Sequence, residues 1–87
     1  MTLNELKAGE SAEVIQINLN GNIRRRLQEL GLINGTLVKC VLIAKHGDPI
    51  AYRIRGALIA LRNRDTKNII IEPKEADYGV NKQFNGQ

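Results

Sequence analysis

The pattern of apolar and polar positions predicts five short strands. Each segment is rich in β-branched or other apolar residues, and turn residues separate the segments about every eight to twelve positions. The segments are "SAEVIQINL" (11–19), "LVKCVLIA" (37–44), "IAYRI" (50–54), "ALIAL" (57–61) and "IIIE" (69–72), the last ended by Pro73. Short strands at this spacing favour a small, partly open β-barrel, so we predict a mainly β fold.

Two short helical segments flank these strands. "TLNE" has the form of a capping box, in which Thr2 and Glu5 satisfy free backbone amides of a helical turn that carries Leu3 and Leu6 inward. "RNRDTKN" (62–68) fits a short helix or a turn before the last strand, with Asp65 near its start, and we predict the helix.

A longer helix is inserted between the first two strands, in "NIRRRLQELGL" (22–32). Ile23, Leu27 and Leu30 recur at helical spacing and form one apolar stripe. Gly31 is predicted to end the helix in the left-handed conformation, and Leu32 to pack back on Leu27 in a Schellman motif.

Three consecutive arginines, Arg24, Arg25 and Arg26, begin this predicted helix. The first turn of a helix disfavours a cation by roughly 0.3–1 kcal/mol, and an Arg25–Glu29 pair returns at most about 0.2–0.5 kcal/mol. One interpretation is that the cluster shields the edge of the core and adds solubility. The other is that it forms a docking patch for an acidic partner, with Leu32 as its apolar centre.

Charge is unevenly distributed along the chain. Residues 24–67 hold ten Arg and Lys against three Asp and Glu, a balance of +7, whereas the whole chain carries +4. The expected partner of this central part is an acidic surface, a phosphate or a nucleic acid.

Length and composition limit the domain organisation. A chain of 87 residues accommodates one core, which we assign to residues 1–73. The polar segment 74–87 is predicted to be a disordered tail, although Tyr78, Val80 and Phe84 leave open a docking segment. No apolar run reaches membrane-spanning length and no signal peptide is evident, so we expect a cytoplasmic protein without direct membrane insertion.

Enzymatic and metal chemistry find little support in the residue pattern. His46 falls in a turn beside Asp48 with no candidate nucleophile, and Cys40 lies in an apolar run typical of a buried thiol. Paired ligand spacings and a phosphate-binding loop are absent, so we expect no catalytic residues, no metal ligands and no cofactor. Aromatic residues make up 3% of the chain, which disfavours nucleic-acid binding through stacked bases.

Two motifs resemble the FeoA family of bacterial ferrous iron uptake. They are R-R-L-x-x-L-G-L-x-x-G-T (25–36) and "GDPIAYRIRGALIALR" (47–62), and the likeness extends over about residues 3–72. Asn34 stands where the family often has proline. The resemblance implies an SH3-like barrel with an inserted helix, and a role alongside the membrane transporter FeoB, whose cytoplasmic part carries a G-domain.

The leading hypothesis is therefore a non-enzymatic adaptor that docks on a FeoB-type transporter and that this partner recruits to the inner face of the plasma membrane. Its expected docking residues are Arg24, Arg25, Arg26, Gly31 and Leu32, together with Arg53 and Arg55. The alternatives are a basic β-barrel that binds nucleic acid and a metal-sensing domain like the carboxyl-terminal domain of iron-dependent repressors.

Overall fold

The computed structural model describes residues 1–74 and shows a mainly β fold, as predicted. After an initial 3-10 turn, η1 (Leu3–Glu5), five strands and two helices follow. They are β1 (Ser11–Ile17), α1 (Gly21–Glu29), β2 (Leu37–Ile43), β3 (Ile50–Ile54), β4 (Ala57–Leu61), α2 (Asn63–Thr66) and β5 (Ile69–Lys74). The five predicted strands and the three helical segments are thus all confirmed.

The strands form one antiparallel sheet in the order β4-β3-β2-β1-β5. Successive strands from β1 to β4 lie side by side, and β5 returns to pair with the far side of β1. The sheet is therefore open at two edges, β4 and β5.

The core lies on the inner face of this curved sheet. It contains Ala12, Val14, Ile50, Tyr52 and Ile54, which alternate with more exposed residues along β1 and β3. Leu3 and Leu6 of the initial turn and Leu27 of α1 join the same cluster. The core cluster as a whole comprises Leu3, Leu6, Ala12, Val14, Ile17, Leu27, Leu32, Val38, Cys40, Ile50, Tyr52, Ile54, Leu61, Ile69 and Ile71.

Two β-bulges interrupt the register of the sheet. Between β2 and β3 the pairing shifts at Val41, and between β1 and β5 it shifts at Ile15. Each bulge places an extra residue in one strand, which increases the local twist and bends the sheet toward a barrel.

The predicted capping contact of the Glu5 carboxylate with the Thr2 backbone is present at the amino terminus. The Thr2 N–H donates to the Glu5 carboxylate at 2.7 Å. This hydrogen bond lowers the pKa of Glu5, because it stabilises the ionised form.

The structure corrects the predicted start of the inserted helix. α1 begins at Gly21, so Arg24 is its fourth residue and Arg26 already lies in its last turn. The unfavourable charge of a helix amino terminus is confined to the first turn. The predicted conflict between the arginines and the helix dipole is therefore wrong.

The end of the last strand also differs from the prediction. β5 continues through Pro73 to Lys74, which pairs with Ser11. A proline lacks a backbone N–H, and it is tolerated here because β5 is an edge strand. Lys74, which the prediction assigned to the tail, therefore belongs to β5, and the remainder of that prediction, 75–87, lies outside the described residues.

Across residues 1–74, no helix combines the length and apolar character needed to cross a lipid bilayer.

Candidate partner-docking surface

The carboxyl end of α1 forms the Schellman motif that the sequence predicts. The Leu32 N–H donates to the Leu27 carbonyl at 2.9 Å, and the Gly31 N–H donates to the Gln28 carbonyl at 3.0 Å. Gly31 has φ +93°, a conformation that costs glycine little. Leu32 is completely buried, so the expectation that it is the apolar centre of a docking patch is wrong. Its side chain instead belongs to the core.

Arg55 lies against this helix end from the neighbouring hairpin. Arg55 and Gly56 form the two-residue turn between β3 and β4, with φ values of +51° and +84°. Two successive positive φ angles are typical of a type I′ turn, in which Asn or Gly is preferred at the first position. The Arg55 Nε–H donates to the Gly31 carbonyl at 3.3 Å. This contact connects the hairpin to the helix end.

The same carbonyl of Gly31 accepts a second hydrogen bond. The Thr36 hydroxyl donates to it at 2.9 Å and also accepts from the Ile33 N–H at 3.0 Å. Arg55 and Thr36 thereby satisfy a backbone oxygen at the end of the helix, where the partial negative charge of the dipole favours a cation.

The three helix arginines have different environments. Arg24 is half-buried, and its guanidinium donates to the carbonyls of Ile17 and Leu19. It therefore anchors α1 to the end of β1. Arg25 and Arg26 are exposed. No carboxylate of residues 1–74 lies within ion-pair distance of either, so the Arg25–Glu29 pair considered above does not form.

Three further basic side chains line a shallow cleft on the outer face of the sheet. Its volume is about 230 Å³, and Lys39, Arg53 and Arg55 contribute to its lining, together with Ser11 and Leu37. We call this feature the sheet cleft. Lys39 and Arg53 are direct cross-strand partners, an arrangement of like charges that destabilises a sheet.

Within residues 1–74, no carboxylate lies within ion-pair distance of the cations of the sheet cleft, although Glu13 is the cross-strand partner of Leu37 at its border. The one side-chain ion pair within residues 1–74 joins Lys74 to Glu13 at 3.3 Å, outside the cleft lining. Leu37 is 56% exposed in the cleft, and Leu58, opposite Arg53 on β4, is 55% exposed. The surface therefore combines unpaired cations with exposed leucines.

The predicted docking residues separate into two groups. Arg53, Arg55 and Gly31 come together, because Arg55 both lines the sheet cleft and covers Gly31. Arg24, Arg25 and Arg26 are carried by α1 and do not line the cleft.

Lys39 was not among the predicted docking residues. Counting back from the β2–β3 turn without a bulge places Ile54 opposite Lys39, and the bulge at Val41 brings Arg53 there instead. The Lys39–Arg53 pair could be predicted from the sequence only if the sequence also indicated the bulge at Val41.

Groups capable of other chemistry are dispersed or buried. No cluster of three or more His, Cys, Asp or Glu side chains suited to a metal ion occurs in the described part of the chain. His46 is exposed in the β2–β3 turn, and burial raises the pKa of the Cys40 thiol. Tyr52 is completely buried and presents no ring on which a base can stack.

Known proteins resemble this chain in sequence and in fold. A FeoA protein from Chlorobium tepidum, solved in solution, is 36% identical, covers 99% of this chain and 82% of its own, and superposes with a TM-score of 0.82. FeoA from Stenotrophomonas maltophilia complexed with zinc, described as a prokaryotic SH3 domain protein, is 34% identical with a TM-score of 0.72 and coverage of 83% and 89%. The predicted SH3-like fold is thereby confirmed.

A longer relative contains a similar segment. The Fe(2+) transport protein A/Fe(2+) transporter FeoB fusion protein of Porphyromonas gingivalis is 33% identical over 72 residues, which cover 83% of this chain and 8% of the fusion protein. The FeoA domain model matches residues 1–73 of the present sequence. A match over most of its length, joined to the same fold, shows that the chain belongs to the FeoA family.

Proposed function

We propose that this chain is a non-enzymatic adaptor of bacterial ferrous iron uptake that docks on an acidic surface in the cytoplasmic part of a FeoB-type transporter. FeoA proteins are linked to Fe(2+) transport. The fusion protein of Porphyromonas gingivalis joins an Fe(2+) transport protein A and an Fe(2+) transporter FeoB in one polypeptide. A fusion suggests that the separate chains associate. Docking of this kind recruits the chain to the inner face of the membrane through its partner.

The observation that carries the proposal is the Lys39–Arg53 pair in the sheet cleft. Its two cations are direct cross-strand partners on β2 and β3, and no carboxylate of residues 1–74 lies within ion-pair distance of either. Such a pair lowers stability in the free chain, and an acidic partner removes the repulsion on binding. Arg55 and the exposed Leu37 extend the same surface.

The arginines of α1 are expected to contribute less to the docking affinity than the sheet cleft does. Arg24 donates its hydrogen bonds within the chain, whereas Arg25 and Arg26 remain exposed and add to the positive field. Charges at the rim of an interface mainly accelerate association and increase its salt dependence. We therefore expect the sheet cleft to determine affinity and the α1 arginines to determine the association rate.

A charge reversal at Lys39 separates docking from folding. In Lys39→Glu the new carboxylate faces Arg53, so the like-charge repulsion becomes an attraction of about 0.2–1 kcal/mol. We expect the free energy of unfolding to hold or rise, while affinity for the purified cytoplasmic domain of a FeoB-type transporter falls about tenfold, or about 1.4 kcal/mol. Binding is measured by calorimetry at fixed salt and stability by urea denaturation.

Lys45→Glu is the matched control. Lys45 is exposed in the β2–β3 turn, outside the cleft lining, and the substitution changes net charge by the same amount. Equal losses of affinity for Lys39→Glu and Lys45→Glu would indicate a response to net charge alone. Tight binding of random oligonucleotides with a steep salt dependence would instead support a nucleic-acid-binding barrel.

A further inference from the structure

The two edges of the sheet differ in their protection. β5 carries Glu72, Pro73 and Lys74, and the amino terminus covers part of its free side. There the Ile71 N–H donates to the Met1 carbonyl at 2.9 Å, and Thr2 forms a bridge with Ile70. Charges, proline and a covering segment are the usual means by which proteins prevent pairing at a sheet edge.

The opposite edge, β4, has none of these features within residues 1–74. Its sequence, "ALIAL" (57–61), contains no charged residue and no proline, and it pairs with β3 over five residues without a bulge. Four of its five residues are at least partly exposed, and Leu58 is 55% exposed. An uninterrupted apolar edge of this kind is a template for another strand.

The hairpin geometry determines which backbone groups face outward. In a hairpin with a two-residue turn, the residues that flank the turn, here Ile54 and Ala57, exchange backbone hydrogen bonds. Along an antiparallel ladder, such hydrogen-bonded pairs alternate with pairs whose backbone groups point away from each other. The N–H and C=O groups of Leu58 and Ala60 therefore point away from β3. Within residues 1–74 no backbone group outside β3 hydrogen-bonds to β4.

We propose that β4 pairs antiparallel with β4 of a second copy, about a two-fold axis at Ile59. In this register Leu58 faces Ala60 of the other copy, and these two residues exchange two backbone hydrogen bonds. Symmetry repeats the exchange, so all four outward groups on each strand are satisfied. A large side chain lies opposite a small one in both the Leu58–Ala60 and the Ala57–Leu61 rows, which makes the edge self-complementary.

The distribution of charge favours β4 as the contact between two copies, because this edge is uncharged. Each chain carries a net charge of +4, so two copies repel each other over most orientations. Pairing through β4 brings uncharged residues together and leaves Arg53 separated from the seam by Leu58. A second copy therefore meets the edge without opposing cations directly across it.

The small area of a five-residue strand pair sets the expected affinity. A stable specific interface buries about 1,600 Å², more than a short pair of strands supplies. We expect a weak, reversible dimer with a dissociation constant of about 0.1–1 mM. Leu58 borders the docking surface as well, but the dimer requires no partner other than the chain itself and is tested without the transporter.

Sedimentation equilibrium of the full chain, over a concentration series that reaches the millimolar range, tests the dimer. Leu58→Lys places a cation at the seam beside its symmetry mate, and we expect at least a tenfold rise in the dissociation constant. Leu42→Lys is the control, since Leu42 is 63% exposed on β2, away from the edge. A monomer at all concentrations, or equal effects of the two variants, would overturn the proposal.

Single cysteines test the register. Ile59 is the one β4 residue that faces its own counterpart, with the close Cα separation of a non-hydrogen-bonded pair that a disulfide can span. We expect oxidised glutathione to link Ile59→Cys into a covalent dimer, two thiols passing two electrons and two protons to the oxidant. Ala57→Cys and Ala60→Cys should remain unlinked, and Cys40 is completely buried.

Preferential cross-linking at 57 or 60 would overturn this register. Amide exchange in dilute, monomeric chain provides a further test. We expect the Leu58 and Ala60 amides to exchange rapidly there. Strong protection of both amides in the monomer would mean that the edge is filled from within the same chain, and the dimer proposal would then fail.

Discussion

The Arg55 side chain lies across the backbone of Gly31, so that one contact joins the β3–β4 turn to the end of α1. The Arg55 Nε–H donates to the Gly31 carbonyl at 3.3 Å, and a Cβ atom added to Gly31 would lie 2.6 Å from the Arg55 Cδ. Arg55 itself holds φ +51°, a conformation that costs an ordinary residue about 1–2 kcal/mol. The absence of a side chain at Gly31 is what allows this approach.

We predict that Gly31→Ala destabilises the chain more than Gly9→Ala does. Both glycines have positive φ, at +93° and +91°, but a Cβ at Gly9 meets no atom within 4 Å. Gly9→Ala should cost about 1–2 kcal/mol from the backbone alone. Gly31→Ala should cost about 1 kcal/mol more, because Arg55 must move and its hydrogen bond is lost. Urea denaturation measures both.

The Arg55→Asn background isolates the contact. Asn is well accommodated in the left-handed region, and Asn-Gly is a preferred type I′ pair. In this background we expect Gly31→Ala to cost no more than Gly9→Ala. A persisting difference between the two glycines would show that the extra cost does not come from Arg55.

Truncation of Arg24 should lower the free energy of unfolding much more than truncation of its neighbour Arg25. Arg24 donates to the Ile17 and Leu19 carbonyls from a half-buried position, whereas Arg25 is exposed. We predict that Arg24→Ala lowers the free energy of unfolding by about 1–2 kcal/mol and that Arg25→Ala changes it by less than about 0.5 kcal/mol. Thermal and urea denaturation provide the measurement, and equal effects would contradict the anchoring role of Arg24.

Thr36 should be sensitive to loss of its hydroxyl. It is buried, and its oxygen connects the Ile33 N–H to the Gly31 carbonyl. Thr36→Val keeps the shape but leaves that N–H unsatisfied, so we predict a loss of about 1–3 kcal/mol. Thr36→Ser retains the hydroxyl and should cost less. If Ser destabilised the chain more than Val, packing of the methyl group would outweigh the hydrogen bonds.

Tyr52 should make stability fall at alkaline pH. Burial raises its pKa to about 12 from an ordinary value of 10.0; the Thr66 side chain opposes this rise, and the charges of Cys40 and Asp48 add smaller increases. Because the folded chain retains this proton longer than the unfolded chain, the stabilisation is complete below pH 10 and decreases between about pH 10 and 12. The expected slope is about 1.4 kcal/mol per pH unit.

Tyr52→Phe is the control for this pH dependence. The Tyr52 hydroxyl donates a long hydrogen bond of 3.4 Å to the Leu3 carbonyl and also interacts with the Thr66 side chain, so we expect the fold to tolerate its removal at a modest cost. We expect the variant to lose most of the slope between pH 10 and 12 in urea denaturation. An unchanged slope would assign the alkaline effect to other groups.

Local sequence was sufficient for the elements and for the helix end. β-branched and alternating residues predicted all five strands, and the Gly31–Leu32 step predicted the Schellman motif, because these features depend on residues within one turn or one strand. The buried positions of β1 and β3, Val14 and Tyr52 among them, alternate with more exposed ones, a periodicity that is visible within each strand's own sequence.

Tertiary structure decided the positions of the cations. The bulge at Val41 brings Lys39 opposite Arg53, and the turn conformation of Arg55 directs it to Gly31. The packing of α1 on β1 leaves Arg24 half-buried, with its guanidinium bonded to backbone carbonyls. Each of these depends on contacts between segments far apart in the chain, where a shift of one residue changes which side chains meet. Composition therefore established that the centre of the chain is positive, and only the register and the packing selected which positive side chains remain available to a partner.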